Sequence, residues 1–343
     1  MLRQIRPVQW MPLFIAITIS IAVPVAAKKM DTTTKKTKKP RPSGPALIWH
    51  DPGNIASLDL VSGVGGKEYE PPVGDFKFIK EDTNGTTPKF DLKDVNGVKW
   101  RAKLGIDAKT DTVASRLLWA VGYFATENYY VPQLHVTGID KRAISRGQKF
   151  ISDDGTMRGA RLKRHVKGEK KEKNWSWSNN PFVGTKEFNG LRVMMALINN
   201  WDLKEVNNGI YVEKNGEQRY TVSDVDASFA KTGNYFTRSK GELEDYRQSK
   251  FIQNATPEYV DFILSSRPFI LSAVDVPNYV TRTKMQDVGK RVPRADAKWI
   301  GGLLGQLSAE QISDAFRASG FSPEEVDGYT KVVQQRIAEL NKL

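Results

Sequence analysis

The sequence predicts an α+β chain in which a small antiparallel β-rich part precedes a mostly helical part. Three observations carry that expectation. Residues 76–104 show strand-like alternation around two Asn-Gly turns. The stretch after residue 256 shows helical spacing with explicit start and stop signals. A hydrophobic share of 39% with 8 Trp suits a folded globule, and 343 residues can bury a large core.

Residues 1–27 read as a secretory leader. Arg3 and Arg6 form its charged start, Met11–Val23 its apolar stretch, and Val25-Ala26-Ala27 a small-residue cleavage site. The apolar run falls short of the ~20 residues of a membrane span. An uncleaved N-terminal anchor is the alternative; either way the bulk is expected to be secreted or periplasmic. Residues 28–45, rich in Lys, Thr and Pro, read as a basic solvated linker. Its Lys run offers weak contact with an anionic envelope.

Charge bears on partners. The net charge is +13, of which Arg3 and Arg6 contribute +2 and Lys28–Arg41 +6, leaving +5 for the remainder. Basicity concentrated in a tail argues against a specific nucleic-acid partner, although a smaller basic cluster remains at Arg158–Lys173. The chain has no Cys and 3 His. That excludes disulfides, thiolate zinc sites and a Cys nucleophile, and disfavours a His-rich metal centre.

Two parts are expected, a β-rich one over residues 46–170 and a helical one over 171–343. Gly63-Val64-Gly65-Gly66 lacks the Lys-Ser/Thr of a phosphate-binding P-loop and reads as a turn. Strands are predicted at Phe76–Lys80, Lys89–Leu92 and Val98–Leu104. In the third, Trp100, Ala102 and Leu104 share one face and Lys99, Arg101 and Lys103 the other. A helix is predicted over Asp111–Tyr123, with Asp111 near its start where it favours the helix dipole. Strands follow at Tyr129–Val136, with Pro132 pointing to an edge or bulge, and at Arg158–Val166. Trp175 and Trp177 lie in a polar crossing, where they either anchor the loop or stack on a base. Thr185–Asn199 reads as a helix with a buried stripe from Phe188 to Ile198. Further helices are predicted over Pro257–Ser265, Ala295–Leu304, Ser308–Ala318 and from Ser322 onward.

The chain is organised around Leu197–Phe229. A helix end runs into a polar loop, Asn199–Asn208. A hairpin of Ile210–Val212 and Tyr220–Val222 follows, and its second strand delivers Asp224 and Asp226. The hairpin brings Asp202, Asn207 and Asp224 together, oxygen-bearing side chains of the kind that hard cations such as Mg²⁺ or Mn²⁺ prefer.

Asp202-Leu203-Lys204-Glu205-Val206-Asn207 resembles the catalytic loop of the protein-kinase-like superfamily, and Ser223-Asp224-Val225-Asp226 resembles its metal-binding motif. Asn200-Trp201 stand where ordinary protein kinases carry His-Arg, and Val and Asp replace the Phe and Gly of the metal motif. Those departures resemble the divergent HipA-like, phosphoinositide-kinase-like, CotH-like and secretory-pathway groups. The chain as a whole also resembles secreted bacterial proteins.

The resemblance implies a two-lobed kinase-like fold, with ATP and Mg²⁺ as cofactors and a hydroxyl acceptor on a protein or small molecule. It implies that Asp202 orients or deprotonates the acceptor, that Asn207 and Asp224 hold the metal, and that Lys103 contacts phosphate. Lys99 and Arg101 are rivals to Lys103, and Asn208 to Asn207. Lys204 reaches phosphate by its place in the motif. Asp226 is either a second metal ligand or a carboxylate that shapes the loop. Asn84, Gly85 and Thr86 occupy the place of the phosphate-covering loop. Asp111 is the candidate partner of the strand Lys, or a plain helix cap. Three functions stay open: a secreted kinase, an inactive kinase-fold binding module of the cell envelope, and an unrelated envelope-binding protein whose acids are turns.

Overall fold

Alternation of apolar and polar residues, repeated across five strands, closes a barrel. The computed structural model of the chain describes residues 44–166, 171–230, 239–264 and 269–343. The predicted leader and nearly all of the predicted linker lie outside these residues. Strand β1 (Ala46–Leu47) precedes β2 (Phe76–Glu81), β3 (Lys89–Lys93) and β4 (Lys99–Leu104). Helix α1 (Ile106–Ala120), β5 (Asn128–Thr137) and β6 (Thr156–Arg164) follow. The barrel order is β2-β3-β4-β6-β5, and a short parallel pairing of Phe76 with Val136 closes it. Pro132 falls in the part of β5 that pairs with β6 alone, so its missing N–H interrupts no second ladder. Inward residues such as Phe90, Leu92, Trp100 and Leu162 fill the barrel as a core of their own. The buried Trp100 indole donates to Asp94 Oδ2 at 2.9 Å, which satisfies its N–H.

The second half carries β7 (Lys171–Lys173), α2 (Lys186–Leu197), β8 (Asn208–Val212) and β9 (Gln218–Val222). Next come α3 (Leu243–Gln248), β10 (Ile252–Ala255), β11 (Tyr259–Phe262), α4 (Leu271–Val274) and α5 (Val276–Asp287). The chain continues through β12 (Val292–Pro293), α6 (Arg294–Leu304), α7 (Ala309–Arg317) and α8 (Pro323–Asn341). Helix α2 starts at Thr185, whose hydroxyl accepts from Phe188 N at 3.2 Å. Both α7 and α8 begin with capping boxes, at Ser308 with Gln311 and at Ser322 with Glu325. Their apolar faces join α1 and α2 in a second, larger core. Residues 46–60, which the sequence groups with the β-rich part, also contribute here. Strand β1 pairs in parallel with β9, and Ile48, Ile55 and Leu60 are buried in the larger core.

Three expectations need correction. Of the predicted helix Pro257–Ser265, Ser265 lies outside the described residues, and the rest is not helical but contains β11, because Val260 and Phe262 are buried two residues apart and face one side. Helix α1 begins at Ile106 rather than Asp111, directly after Gly105 at φ 84°. Asp111 therefore lies in the second turn, buried, and does not cap. The helices α3 and α5 and the β10–β11–β12 sheet fall where sequence periodicity is weak.

Trp175 and Trp177 are anchors. Both are buried, their rings meet edge to face at 4.9 Å, and their indoles donate to Thr221 O (2.9 Å) and Leu203 O (3.1 Å). They hold the crossing segment onto strand β9 and onto the loop at Leu203. Among the described residues no helix is long and apolar enough to cross a membrane.

Candidate active site

Lys103 is the centre of the site. Alternation puts Lys99, Arg101 and Lys103 on one face of β4, but the structure separates them. Lys99 is exposed. The Arg101 guanidinium pairs with Asp91 at 2.8 Å and with Asp82 at 2.8 Å. Lys103 alone reaches inward, its side chain 6% exposed, to Asp111 (3.1 Å), Asp224 (3.1 Å) and Asp226 (2.9 Å).

Each partner comes from a different element. Register pairs Lys103 with Arg161 of β6, and the Arg161 guanidinium also binds Asp111. Helix α1 supplies Asp107, Thr110 and Asp111 on successive turns of one face. The end of β9 supplies Asp224 and Asp226, and Thr110 Oγ1 donates to Asp226 O at 2.7 Å. Lys240 closes the cluster from the far side, 2.5 Å from Asp107 and 2.8 Å from Asp226. Four carboxylates therefore face three cations, one negative charge in excess.

Burial in a low-dielectric setting acts first on every member, and the neighbours then decide the outcome. Burial alone would lower the Lys103 ammonium pKa, but Asp111, Asp226 and Asp224 hold it well above its usual value. Burial pushes Asp226 upward, yet Lys103 and Lys240 outweigh it and keep this carboxylate ionised far below the usual range. In Asp111 burial is likewise overcome by Arg161 and Lys103. Asp224 goes the other way. Burial pushes it up to about 6, Lys103 offsets part of the rise, and Asp226 and Asp111 add to it. Its side chain is 46% open, so water screens part of this effect, and the direction remains upward with burial as its first cause.

The second loop is stitched to the first by hydrogen bonds. Asn207 Nδ2 donates to Asp202 O at 2.8 Å, and Asn207 O accepts from Ser223 N at 2.8 Å and from Ser223 Oγ at 3.0 Å. Asp202, Asn207 and Asp224 thereby belong to one hydrogen-bonded unit. Lys204 Nζ lies 2.7 Å from Asp202 Oδ1. Asn208 points away: it is buried and donates to Trp175 O at 3.0 Å, a structural role. Two left-handed non-glycine residues, Asn199 (φ 51°) and Phe229 (φ 59°), bracket the stretch that holds both loops. They are cross-linked, since Phe229 N donates to Ile198 O at 2.8 Å and Asn199 Nδ2 to Ala230 O. Costly conformations held by mutual bonds are characteristic of functional loops.

The segment Asn84-Gly85-Thr86 is exposed. The Asn84 side chain turns back on Asp82 at 2.8 Å, Gly85 sits at φ 71°, and its carbonyl accepts from Arg146. The link from this loop to the cluster runs through Thr87, whose hydroxyl lies 3.2 Å from Asp107 Oδ2. Sequence reasoning missed Asp107, Arg161 and Lys240. Arg161 carried a faint signal as the cross-strand neighbour of Lys103; Lys240 carried none. Beyond Ser223 opens a recess of about 410 Å³, bordered by Tyr211, Phe124, Lys163 and Thr221.

A β barrel and a helical lobe with separate cores meet at this cluster. The fold is two-lobed and α+β. No protein-family model matches the chain, and no curated protein matches it in sequence. Among solved structures it is similar to the proinflammatory kinase CtkA of Helicobacter pylori, at 11% identity and a TM-score of 0.44, over 79% of this chain and 97% of that one.

Proposed function

We propose that this chain is a phosphotransferase of the divergent kinase-like kind, moving a phosphoryl group from ATP to a hydroxyl acceptor with Mg²⁺ or Mn²⁺. The observation that carries this reading is the burial of Lys103 among Asp111, Asp224 and Asp226 next to the Asp202–Asn207 loop. A buried ammonium anchored on three sides is preorganised to meet phosphate oxygens. The leader-like residues 1–27 support a secreted or periplasmic setting, with contact to the envelope through the basic linker.

The residues present fit a divalent cation at two positions. Asp224 uses Oδ1 on Lys103, and among the described residues its Oδ2 and the Asn207 Oδ1 take no hydrogen bond. Asp226 fits poorly as a ligand, since an ammonium stands against each of its oxygens, Lys103 on one and Lys240 on the other, and both repel a cation there. Among the described residues no three acidic or histidine side chains form a ready-made metal centre. That suits an ion that completes its shell with phosphate oxygens and water, as Mg²⁺ does.

A bound cation would neutralise phosphate charge. The chain's own residues do the rest. Lys103 would meet a phosphate oxygen by giving up its bond to Asp224, the most open of its three acceptors, with Asp111 and Asp226 keeping its direction. Asp202 accepts the proton of the acceptor hydroxyl, and Lys204 Nζ, 2.7 Å from Asp202 Oδ1, offers a second phosphate contact. The recess of about 410 Å³ beyond Ser223 has aromatic walls and polar groups suited to a nucleobase.

The test is a melting series of the purified protein with Mn²⁺ or Mg²⁺, with and without ATP. A metal-dependent rise that Asp224→Ala abolishes is expected. Asp202→Asn should keep that rise while phosphoryl transfer to a screened acceptor falls by ~10²–10⁴. No rise with any nucleotide, in a protein that melts cooperatively, overturns the catalytic reading and leaves a binding scaffold.

A further inference from the structure

Lys240 is placed too deliberately for a surface lysine. The backbone on both sides of it is pinned to the site. Trp201 Nε1 donates to Ser239 O at 2.9 Å, Gly241 N to Ser228 O at 3.0 Å, and Glu242 N to Phe229 O at 3.0 Å. Gly241 sits at φ +58°, a conformation that favours glycine, and a Cβ there would meet the Ile106 side chain at 2.6 Å. The lysine so delivered engages Asp107 and Asp226 together, 5.8 Å above the Trp201 ring. Burial alone would weaken its charge, and the two carboxylates outweigh that and hold it protonated.

The consequence falls on Asp226. Its Oδ2 accepts from Lys103 and its Oδ1 from Lys240, so an ion at either oxygen would stand directly against an ammonium. We infer that the Lys240 ammonium is a resident cation, standing where a second divalent ion would otherwise bridge Asp226, and that the site therefore takes one divalent cation per nucleotide. This deepens the nucleotide reading above and rests on it. The physical reason is effective concentration. A tethered ammonium, already aligned on two carboxylates, competes with a free ion that must first shed strongly held water. Charge agrees: the cluster has one negative charge in excess before nucleotide arrives, less than two divalent ions would neutralise.

The experiment counts bound Mn²⁺ by electron paramagnetic resonance, with a non-hydrolysable ATP analogue in excess and folding verified by circular dichroism. The native protein and Lys240→Arg should each bind one ion. Lys240→Met, which frees Asp107 and Asp226, should bind two. Asp226→Asn should still bind one, and this arm tests the inference even if Lys240→Met fails to fold. Two ions in the native protein, one in a folded Lys240→Met, or none in a folded Asp226→Asn each overturn the inference. Absence of any Mn²⁺ or nucleotide binding by the native protein instead overturns the proposed function, so the two failures are distinct.

Discussion

Replacing Lys103 by Met is the sharpest perturbation of the cluster, because it needs no ligand and no known acceptor. The side chain keeps similar volume but loses its charge, leaving three carboxylates to be rebalanced. Removing one partner of a buried ion pair costs about 3–5 kcal/mol. Here Asp111 retains Arg161 and Asp226 retains Lys240. Only Asp224 loses its one ammonium within ion-pair distance among the described residues, and its side chain is 46% open. The loss therefore belongs at the low end, about 3 kcal/mol. For a chain of this size, at about 2 °C per kcal/mol, that lowers the Tm by about 6 °C at pH 8. The pH dependence has a definite sign. Asp224 is already pushed up to about 6, and replacing Lys103 removes the ammonium that holds it down. An acid whose folded pKa exceeds its unfolded value costs stability above the folded pKa, and the cost disappears as pH falls toward the unfolded one. The gap between native and Lys103→Met should thus narrow from pH 8 to pH 5. Adding Asp224→Asn to the variant should recover part of the gap at pH 8. Melts by circular dichroism at three pH values check this. An unchanged Tm at pH 8, or a gap that widens on acidification, refutes Lys103 as the counter-ion of this cluster.

Three further outcomes are expected. The proposed metal–nucleotide binding would need Asp224 ionised, so its affinity should fall about tenfold per pH unit below about 6, with proton release on binding near that pH; calorimetry in two buffers measures both, and a flat profile from pH 5 to 7.5 contradicts the assignment. Trp175→Ala removes a buried indole and its bond to Thr221 O at 2.9 Å. It should cost about 3–5 kcal/mol, read as a drop in denaturant midpoint with loss of near-ultraviolet ellipticity. Gly320→Ala places a Cβ 2.0 Å from the Tyr130 ring at a φ of +81°. It should cost more than about 1 kcal/mol, and the double variant with Tyr130→Ala should recover the steric share but not the backbone share.

Much of the β-rich lobe was legible because its signals are local. Asn-Gly turns and two-residue alternation delimit β2, β3 and β4 within a residue or two. Capping boxes mark α7 and α8, since Ser and its third following residue settle their bonds within one turn. The β11 strand was misread because a short apolar run has no period of its own; the β12 edge at Val292 decides it. The start of α1 was misplaced because Asp111 looks like a capping acid. Its true partners, Lys103 and Arg161, lie 8 and 50 residues away.

By itself, the sequence determined which residue types stand at the loop ends. Asp202, Asn207, Asp224 and a basic strand face are readable from spacing and hairpin chemistry. Only the tertiary structure decided which of Lys99, Arg101 and Lys103 turns inward, because alternation gives all three the same face and the choice depends on which acid each one meets. It also decided that Asp226 serves two lysines, and that Lys240 belongs to the site at all. A charge becomes a counter-ion only when folding removes water and brings an opposite charge within about 3 Å. For Lys103 and Asp226 that partner is 123 residues away, a distance at which no local pattern carries information.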